Sequence, residues 1–376
     1  MTPGITERRP NLRHLLDLAP LAIGTGVYQG ARLGLSLIAA AVLGPATFGE
    51  WVMITLLLQY SAFASLGFPN GAGREVPRRL GQGRPDLAER AEDVALSGTL
   101  LLGLLAGIAG LAIARALVGG PAAIEIAVLL GVAIVAQQLV LLEQVLLRSR
   151  FRFTSAAVQL GVVGVVMLLV GLAALRQGIA GLTLALVIGL LAALVVGHFV
   201  LRRRPRVTWD QGEVRAIVGI GFPIMLAGLA FSLLTTLDRW LVLAFIGDVA
   251  FGIYGLVGIA ISGLMVLSTV VAQQYYPRIA HAYGANLDPQ ALLAMAQRQS
   301  WIASTVVALA AVPMIALAWL ILPSVLPEYA AAAAPATLAM LGILVYSGAT
   351  GNANLLNSVG AIATTSPSSW WRSPQM

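Results

Sequence analysis

Residues 219–255 read GIGFPIMLAGLAFSLLTTLDRWLVLAFIGDVAFGIYG, an apolar run that carries an acid and a base side by side at Asp238 and Arg239. About 20 apolar residues suffice to cross ~30 Å of hydrocarbon, so the stretch is long enough to span a membrane. It is one of many. The chain has 376 residues, 59% of them hydrophobic and 10% charged, and its mean hydropathy is +0.88. That is too little charge to cover a soluble domain, so the sequence reads as an all-α polytopic membrane protein. Ten transmembrane helices are expected, at 15–43, 47–69, 94–118, 122–147, 154–175, 178–201, 215–246, 250–276, 298–322 and 331–357. The basic N-terminus is followed by a run too long for a signal core, so the first helix is expected to be retained.

Several chemistries fall away at once. There is no Cys, which removes disulfides and cysteine metal sites. There is no Lys either, all 23 basic residues being Arg, and a P-loop ATPase needs its lysine. No metal or other cofactor is expected. The arginines set topology instead: 19 of the 23 fall in segments on the N-terminal side of the membrane. The positive-inside rule then places both termini in the cytoplasm of a bacterial inner-membrane protein. The net charge of +7 reads as topology and attraction to anionic lipid headgroups, with no nucleic-acid partner. The loops on the opposite face, such as GPATFGE, RQG and GDVA, are too short to house a catalytic domain.

The opening stretch has a partner. At an offset of 203 residues, Pro20 to Trp51 aligns without a gap to Pro223 to Tyr254. Pro20 meets Pro223, Gly44 meets Gly247, Phe48 meets Phe251 and Gly49 meets Gly252. The punctuation G-x-x-x-F-G thus recurs at one place in a turn, and an even number of helices separates the copies. This reads as a parallel repeat. The expected organisation is an N-terminal lobe (1–201, six helices), a linker (202–214), a four-helix C-terminal lobe (215–357) and a disordered tail (358–376).

The sequence resembles the polysaccharide-export, or O-antigen, flippases of the multidrug/oligosaccharidyl-lipid/polysaccharide exporter superfamily. The residues that carry the resemblance are LGPATFGEW after the first helix and ASLGFPNGAGREVPRRLGQG (Ala64 to Gly83). In the second half they are the opening stretch and QQYYPRIAHAYG (Gln273 to Gly284). The resemblance implies two pseudo-repeated lobes around a central cavity that opens alternately to either side. It implies a non-enzymatic flippase whose cargo is an undecaprenyl-diphosphate-linked oligosaccharide or related glycolipid, used in cell-surface polysaccharide synthesis. Other polysaccharide-assembly proteins are its implied partners. The family has twelve or fourteen helices, whereas this chain ends in TSPSSWWRSPQM without a further span. Its second lobe therefore reads as cut short.

Moving an anionic headgroup through hydrocarbon calls for fixed cations and hydrogen-bonding groups, and guanidinium suits phosphate through its bidentate fork. On the first helix, Thr25, Gln29, Arg32 and Ser36 share one side. In the repeat, Gln29, Arg32 and Ser36 align with Ser232, Thr235 and Arg239. An arginine in mid-membrane costs about 2.5–3.5 kcal/mol on insertion scales, so neither is expected to face lipid. Arg32 and Arg239 are the candidate diphosphate ligands; the competing reading is that they stabilise packing. Asp238, whose repeat counterpart is Leu35, is either a structural ion-pair member or the site of a coupling H+ or Na+. Gln59 is a candidate sugar ligand, and Arg74, Arg78 and Arg79 form a candidate cytoplasmic entrance. Asp17, Glu143 and His198 read as interfacial. Gln137, Gln138, Gln159, Gln273 and Gln274, like Gln59, could hydrogen-bond sugar, with interhelical packing bonds as the default reading for all six. Three alternatives stand beside the flippase: a cation-coupled multidrug antiporter of the same superfamily, a membrane glycan polymerase or ligase, and a truncated remnant.

Overall fold

The computed structural model describes residues 12–117, 119–201, 205–284, 288–320 and 322–359. The tail from 360, Arg202 to Arg204, and the side chains of Asp17, Gln273, Gln274 and Arg278 lie outside the described residues. Among the described residues the regular elements are helical: α1 (Leu12–Ser61), α2 (Phe68–Gly81), α3 (Pro85–Leu117), α4 (Ala123–Ser149), α5 (Phe153–Ala174) and α6 (Gly178–Val200). They continue as α7 (Gln211–Leu234), α8 (Leu237–Phe245), α9 (Asp248–Gly284), α10 (Pro289–Leu320), α11 (Leu322–Val325) and α12 (Ala333–Val359).

Among the described residues, eight helical segments are long and apolar enough to cross a membrane, and two of them, Ile23–Ser61 and Phe153–Val200, have 39 and 48 residues. Each of these two is divided by a glycine with positive φ. Gly44 (φ 73°) interrupts α1 ahead of Pro45, and Gly178 (φ 64°) follows the short turn Leu175–Gln177 between α5 and α6. Only a residue without Cβ adopts that region at low cost. With those breaks, ten apolar segments emerge, matching the ten helices expected. The outward surfaces are apolar, with Phe199 80% and Ile108 67% exposed. A polytopic membrane protein presents its apolar side chains outward in this way, to lipid.

Two expected helices end or break early. The one expected at 47–69 stops at Ser61, and residues 62–67 wind through three-residue turns before Leu66 (φ 48°) and Gly67 (φ 84°) reverse the chain. Gly67 and Pro69 then start α2. The helix expected at 215–246 breaks at Thr235 and Thr236. Thr235 Oγ1 donates to the carbonyls of Phe231 and Ser232 at 3.1 Å, and Thr236 Oγ1 donates to Ser232 O at 2.7 Å. Consecutive hydroxyls compete for the acceptors that helix N–H groups would use, and two β-branched residues in a row crowd the preceding turn.

The chain forms two compact units, residues 1–252 and 253–376. In the first, α5 presents Ala157, Gly164 and Gly171 at seven-residue spacing to Gly24, Tyr28 and Leu35 of α1. Cβ atoms added at Gly164 and Gly171 would stand 2.7 Å from Tyr28 Cα and Leu35 Cδ2. Small residues let two helices approach closely where lipid supplies no hydrophobic drive. The extended segment at 205–210 runs along α3, its Arg206 and Thr208 N–H groups donating to Asp93 Oδ1 (2.7 Å) and Ser97 Oγ (2.8 Å). Asp210 then caps α7 by accepting from Gly212 N and Glu213 N. In the second unit, α10 packs on α12 through a polar seam. Asn354 Nδ2 donates to Gln299 Oε1 (3.0 Å) and to Ala272 O of α9 (2.9 Å), and Gly351 N donates to Ser300 Oγ (3.2 Å).

The aligned turns of the repeat each hold a glycine at positive φ, Gly44 (73°) and Gly247 (107°), and Phe48 and Phe251 are 1% and 2% exposed. The turns also touch reciprocally. A Cβ at Gly49 would meet Asp248 O at 3.0 Å and Gly252 Cα at 3.3 Å, and one at Gly252 would overlap Pro45 O. Gly252→Ala is therefore expected to lower stability by about 1–3 kcal/mol through overpacking against backbone. Gly26→Ala, in a helix interior where a Cβ meets nothing within 4 Å, should not lower it and is expected to raise it slightly. Thermal melting followed by size-exclusion chromatography separates the two outcomes.

Candidate functional site

The polar stripe of α1 lies beside its packing face. Gly24, Tyr28, Ala31 and Leu35 form the side toward α5, with Leu35 1% exposed. Thr25, Gln29, Arg32 and Ser36 each follow one of these residues, which rotates them about 100° around the helix. All four are half-buried. A Cβ added at Gly30 or Gly34 would meet nothing within 4 Å, so the side of α1 roughly opposite Arg32 is open.

The second copy is built differently, because the chain breaks between Ser232 and Arg239. Ser232 is 6% exposed and its Oγ accepts from Gln59 Nε2 at 3.0 Å. Thr235 closes α7, and Thr236 precedes the nine-residue α8. Asp238 and Arg239 are half-buried in the first turn of α8, where Asp238 Oδ1 accepts the Arg239 backbone N–H at 2.9 Å. A carboxylate in that position satisfies one of the orphan amides of a helix start and suits the positive end of its dipole. Arg239 does not continue the Ser232–Thr235 stripe, since the helix that would carry it along is interrupted.

Three residues at this break carry no mark in the sequence reading. Tyr60 is hydrogen-bonded through its hydroxyl to Thr236 Oγ1 and accepts from Trp240 Nε1 at 3.0 Å, with the two rings 6.1 Å apart. Together with Gln59 and Ser232 they join the end of α1 to the α7–α8 break. The available signal was Tyr60 beside Gln59, and Thr235-Thr236 ahead of Asp-Arg-Trp. Amides, hydroxyls and aromatic faces beside an arginine are chemistry suited to a phosphorylated sugar.

The three arginines of α2 divide by role. Arg74 is exposed. Arg78, its side chain 55% exposed, chelates Glu75 with Nε and Nη2 at 2.9 and 2.7 Å. Arg79 is buried. It bonds Glu75 (3.2 Å), Leu87 O (2.8 Å) and Glu213 of α7 (2.7 Å), tying α2 and α3 to the start of α7. Gly67 and Gly221 pack backbone to backbone where the start of α2 meets α7. The hydrogen bond from Arg78 holds the Glu75 carboxyl below its ordinary range.

The family model described as "Polysaccharide biosynthesis protein" matches residues 17–282. No curated protein matches the chain. Among solved structures, the MATE multidrug transporter DinF-BH, in a ligand complex, superposes with TM-score 0.65 at 19% identity, over 95% of this chain and 85% of its own. A MATE protein in complex with MaD3S gives 0.67 at 16%, over 92% and 82%. A superfamily transporter from Pyrococcus furiosus, described as having a binding pocket of reverse polarity, gives 0.57 at 16%, over 92% and 83%. At these identities the likeness is one of fold, and it agrees with the all-helical architecture described above.

The α2 network makes two predictions. Arg79→Ala leaves Glu75 and Glu213 short of a buried partner, so stability should fall by about 3–5 kcal/mol, whereas Arg78→Ala should change it by less than about 1 kcal/mol. Because the folded-state carboxyl of Glu75 is depressed, its stabilising contribution is complete above the ordinary carboxylate value and fades as pH drops through the folded one. Melting temperature against pH should therefore decline on the acid side in the native chain. That part of the slope should be missing in Glu75→Gln.

Proposed function

The chain belongs to the polysaccharide biosynthesis protein family, and from that membership we propose that it translocates a lipid-linked oligosaccharide. The cargo would be of the undecaprenyl-diphosphate type or a related glycolipid, moved across the bacterial inner membrane by alternating access for surface polysaccharide assembly. The observation that carries this reading is a pair of half-buried arginines within apolar helices, Arg32 on the flank of α1 and Arg239 at the start of α8. Arginine is expensive in hydrocarbon, and its fork matches a diphosphate. Thr25, Gln29 and Ser36 on one copy, and Gln59, Ser232 and Thr235 on the other, supply the neighbouring sugar contacts. Arg74 and Arg78 attract the anionic headgroup at the entrance, while Arg79 belongs to the ion network beneath.

The turns on the face with few arginines are brief, among them Gly44, Leu175–Gln177 and residues 246–247. They leave no room there for the acceptor site of a polymerase or ligase, which supports a carrier over an enzyme. Both termini face the cytoplasm in this reading, on the arginine-rich side. An exporter of organic cations is the second reading, favoured by the fold shared with multidrug transporters. Cargo polarity separates the two, since cations call for acidic and aromatic linings where the diphosphate calls for arginine.

Glycan display by a flippase-deficient strain expressing this chain tests the proposal. Each charge-assisted contact is worth about 1.5–3 kcal/mol, so Arg32→Ala and Arg239→Ala are each expected to lower export about tenfold to a hundredfold. The double variant should fall to background at equal membrane abundance, and Arg→Lys at either site should recover part of the loss. Undiminished export by the double variant would falsify the diphosphate role. Efflux of a cationic dye that survives both substitutions would favour the second reading.

A further inference from the structure

In the sequence, Asp238 is the acid offered to a coupling cation, yet its carboxylate serves the start of α8. A different acid stands half-buried at a seam between three helices. Glu143 lies on α4 within the apolar segment Ala123–Ser149, about 9 Å of helix rise before Ser149. Its Oε2 accepts from Gln159 Nε2 of α5. Gln159, 0% exposed, also donates to Ala193 O of α6 at 3.1 Å and accepts from Gln144 Nε2 at 2.8 Å. Gln144 Nε2 donates in addition to Ala156 O at 2.9 Å. Gly197 of α6 completes the site: a Cβ there would overlap the Glu143 carboxylate and lie 2.7 Å from Gln159 Nε2. Three helices therefore meet around one carboxylate, in space left by a missing side chain.

No arginine or histidine among the described residues stands within ion-pair distance of it. Among the described residues, the charged groups on the surrounding elements are bonded to other partners, exposed, or far along their helices. On α4, Arg148 Nε donates to Gln144 O at 3.0 Å, and Glu125 is at the far end. Ahead of α5, Arg152 bonds Val200 O. On α6, His198 is exposed with its ring against Phe199. On α3, Glu92 binds Arg150 and Asp93 takes the Arg206 N–H, while Arg90 is exposed and Arg115 is at the opposite end. On α2, Glu75 holds Arg78 and Arg79. On α1, Arg32 belongs to the polar stripe described above, and Glu50 follows Gly49 in the repeated turn at the other end of the helix.

A carboxylate in a largely apolar segment, with no counter-charge among the described residues, calls for a cation of its own. The oxygens beside Glu143 that would cage a metal ion already accept N–H groups: Gln159 Oε1 from Gln144, Ala193 O from Gln159 and Ala156 O from Gln144. No group of three His, Asp or Glu gathers among the described residues. A metal ion needs several oxygens, a proton only one. We propose that Glu143 is a proton-binding site of the first unit, taking up and releasing one proton at the carboxylate oxygen turned away from Gln159. Its charge governs how α6 seats on α4 and α5 across Gly197. The Gln159 amide donates to either form, so the site cycles without losing that bond. This inference is independent of the cargo.

Infrared difference spectra of the full chain in lipid vesicles, stepped between about pH 5 and about pH 9 in H2O and D2O, test it. The native chain should show a protonated-carboxyl band that shifts with deuterium, and Glu143→Gln, which keeps the shape and the Gln159 contact, should lose it. Sodium chloride at fixed pH should leave the band in place. Absence of a band in the native-minus-variant difference overturns the proposal, and so does a band abolished by sodium, which assigns the site to a metal ion. Should Glu143→Gln not fold, Glu143→Asp with 13C-labelled aspartate must carry the band over to the label. Gly197→Ala should displace the band, and an unmoved band removes the link to α6 packing.

Discussion

Hydrocarbon offers no hydrogen bonds, so a backbone that crosses it must satisfy itself, and this chain does so with helices. Wherever a helix stops short inside the protein, a side chain or a turn has to take over. At Thr235-Thr236 the two hydroxyls, Tyr60 and the carboxylate of Asp238 share that work. At residues 61–67, consecutive three-residue turns do. The irregular segments are thus where polar side chains accumulate, and those side chains then sit beside Arg239. The proposed cargo contacts and backbone repair draw on the same residues.

The second constraint is close approach. Lipid tails give apolar helices no reason to prefer one another, so contact area and small residues decide the seams. Ala157, Gly164 and Gly171 set α5 on α1, Gly67 and Gly221 set α2 on α7, and Gly49 and Gly252 interlock the repeated turns. The α7–α8 pair is consequently fastened to α2 at Gly221 and to the end of α1 at its break, the latter through Gln59 and Tyr60. The repeat in the sequence divides the chain near 202–214, whereas compactness divides it after Gly252. The two divisions describe different things, ancestry of pattern in one case and contact in the other.

Charge follows a similar split. Arg79, Arg150 and Glu92 are committed to ion pairs that hold the arginine-rich end together, and their neighbours Arg74 and Arg78 are open to solvent. Sequence places all of them in one basic segment class, because pairing depends on which helix lies opposite. Glu143 illustrates the converse: it reads as interfacial from its distance to Arg148, yet it meets Gln159 and Gly197 from two other helices.

Composition and periodicity determined the membrane class, the helical fold and ten apolar segments, because those properties depend on the solvent and on helix rise alone. The repeat was legible too, since Gly44 and Gly247 mark backbone geometry that few other residues adopt. The α1 stripe of Thr25, Gln29, Arg32 and Ser36 was legible because α1 is continuous there, so spacing translates directly into a face. Its expected counterpart was not, because the helix break lies between Thr235 and Arg239. Which polar residues face one another was left to the tertiary structure: Tyr60 with Trp240, Arg79 with Glu213, Glu143 with Gln159. Such partners are separated by up to 180 residues. Only packing, through small residues whose value lies in what they do not occupy, brings them within reach.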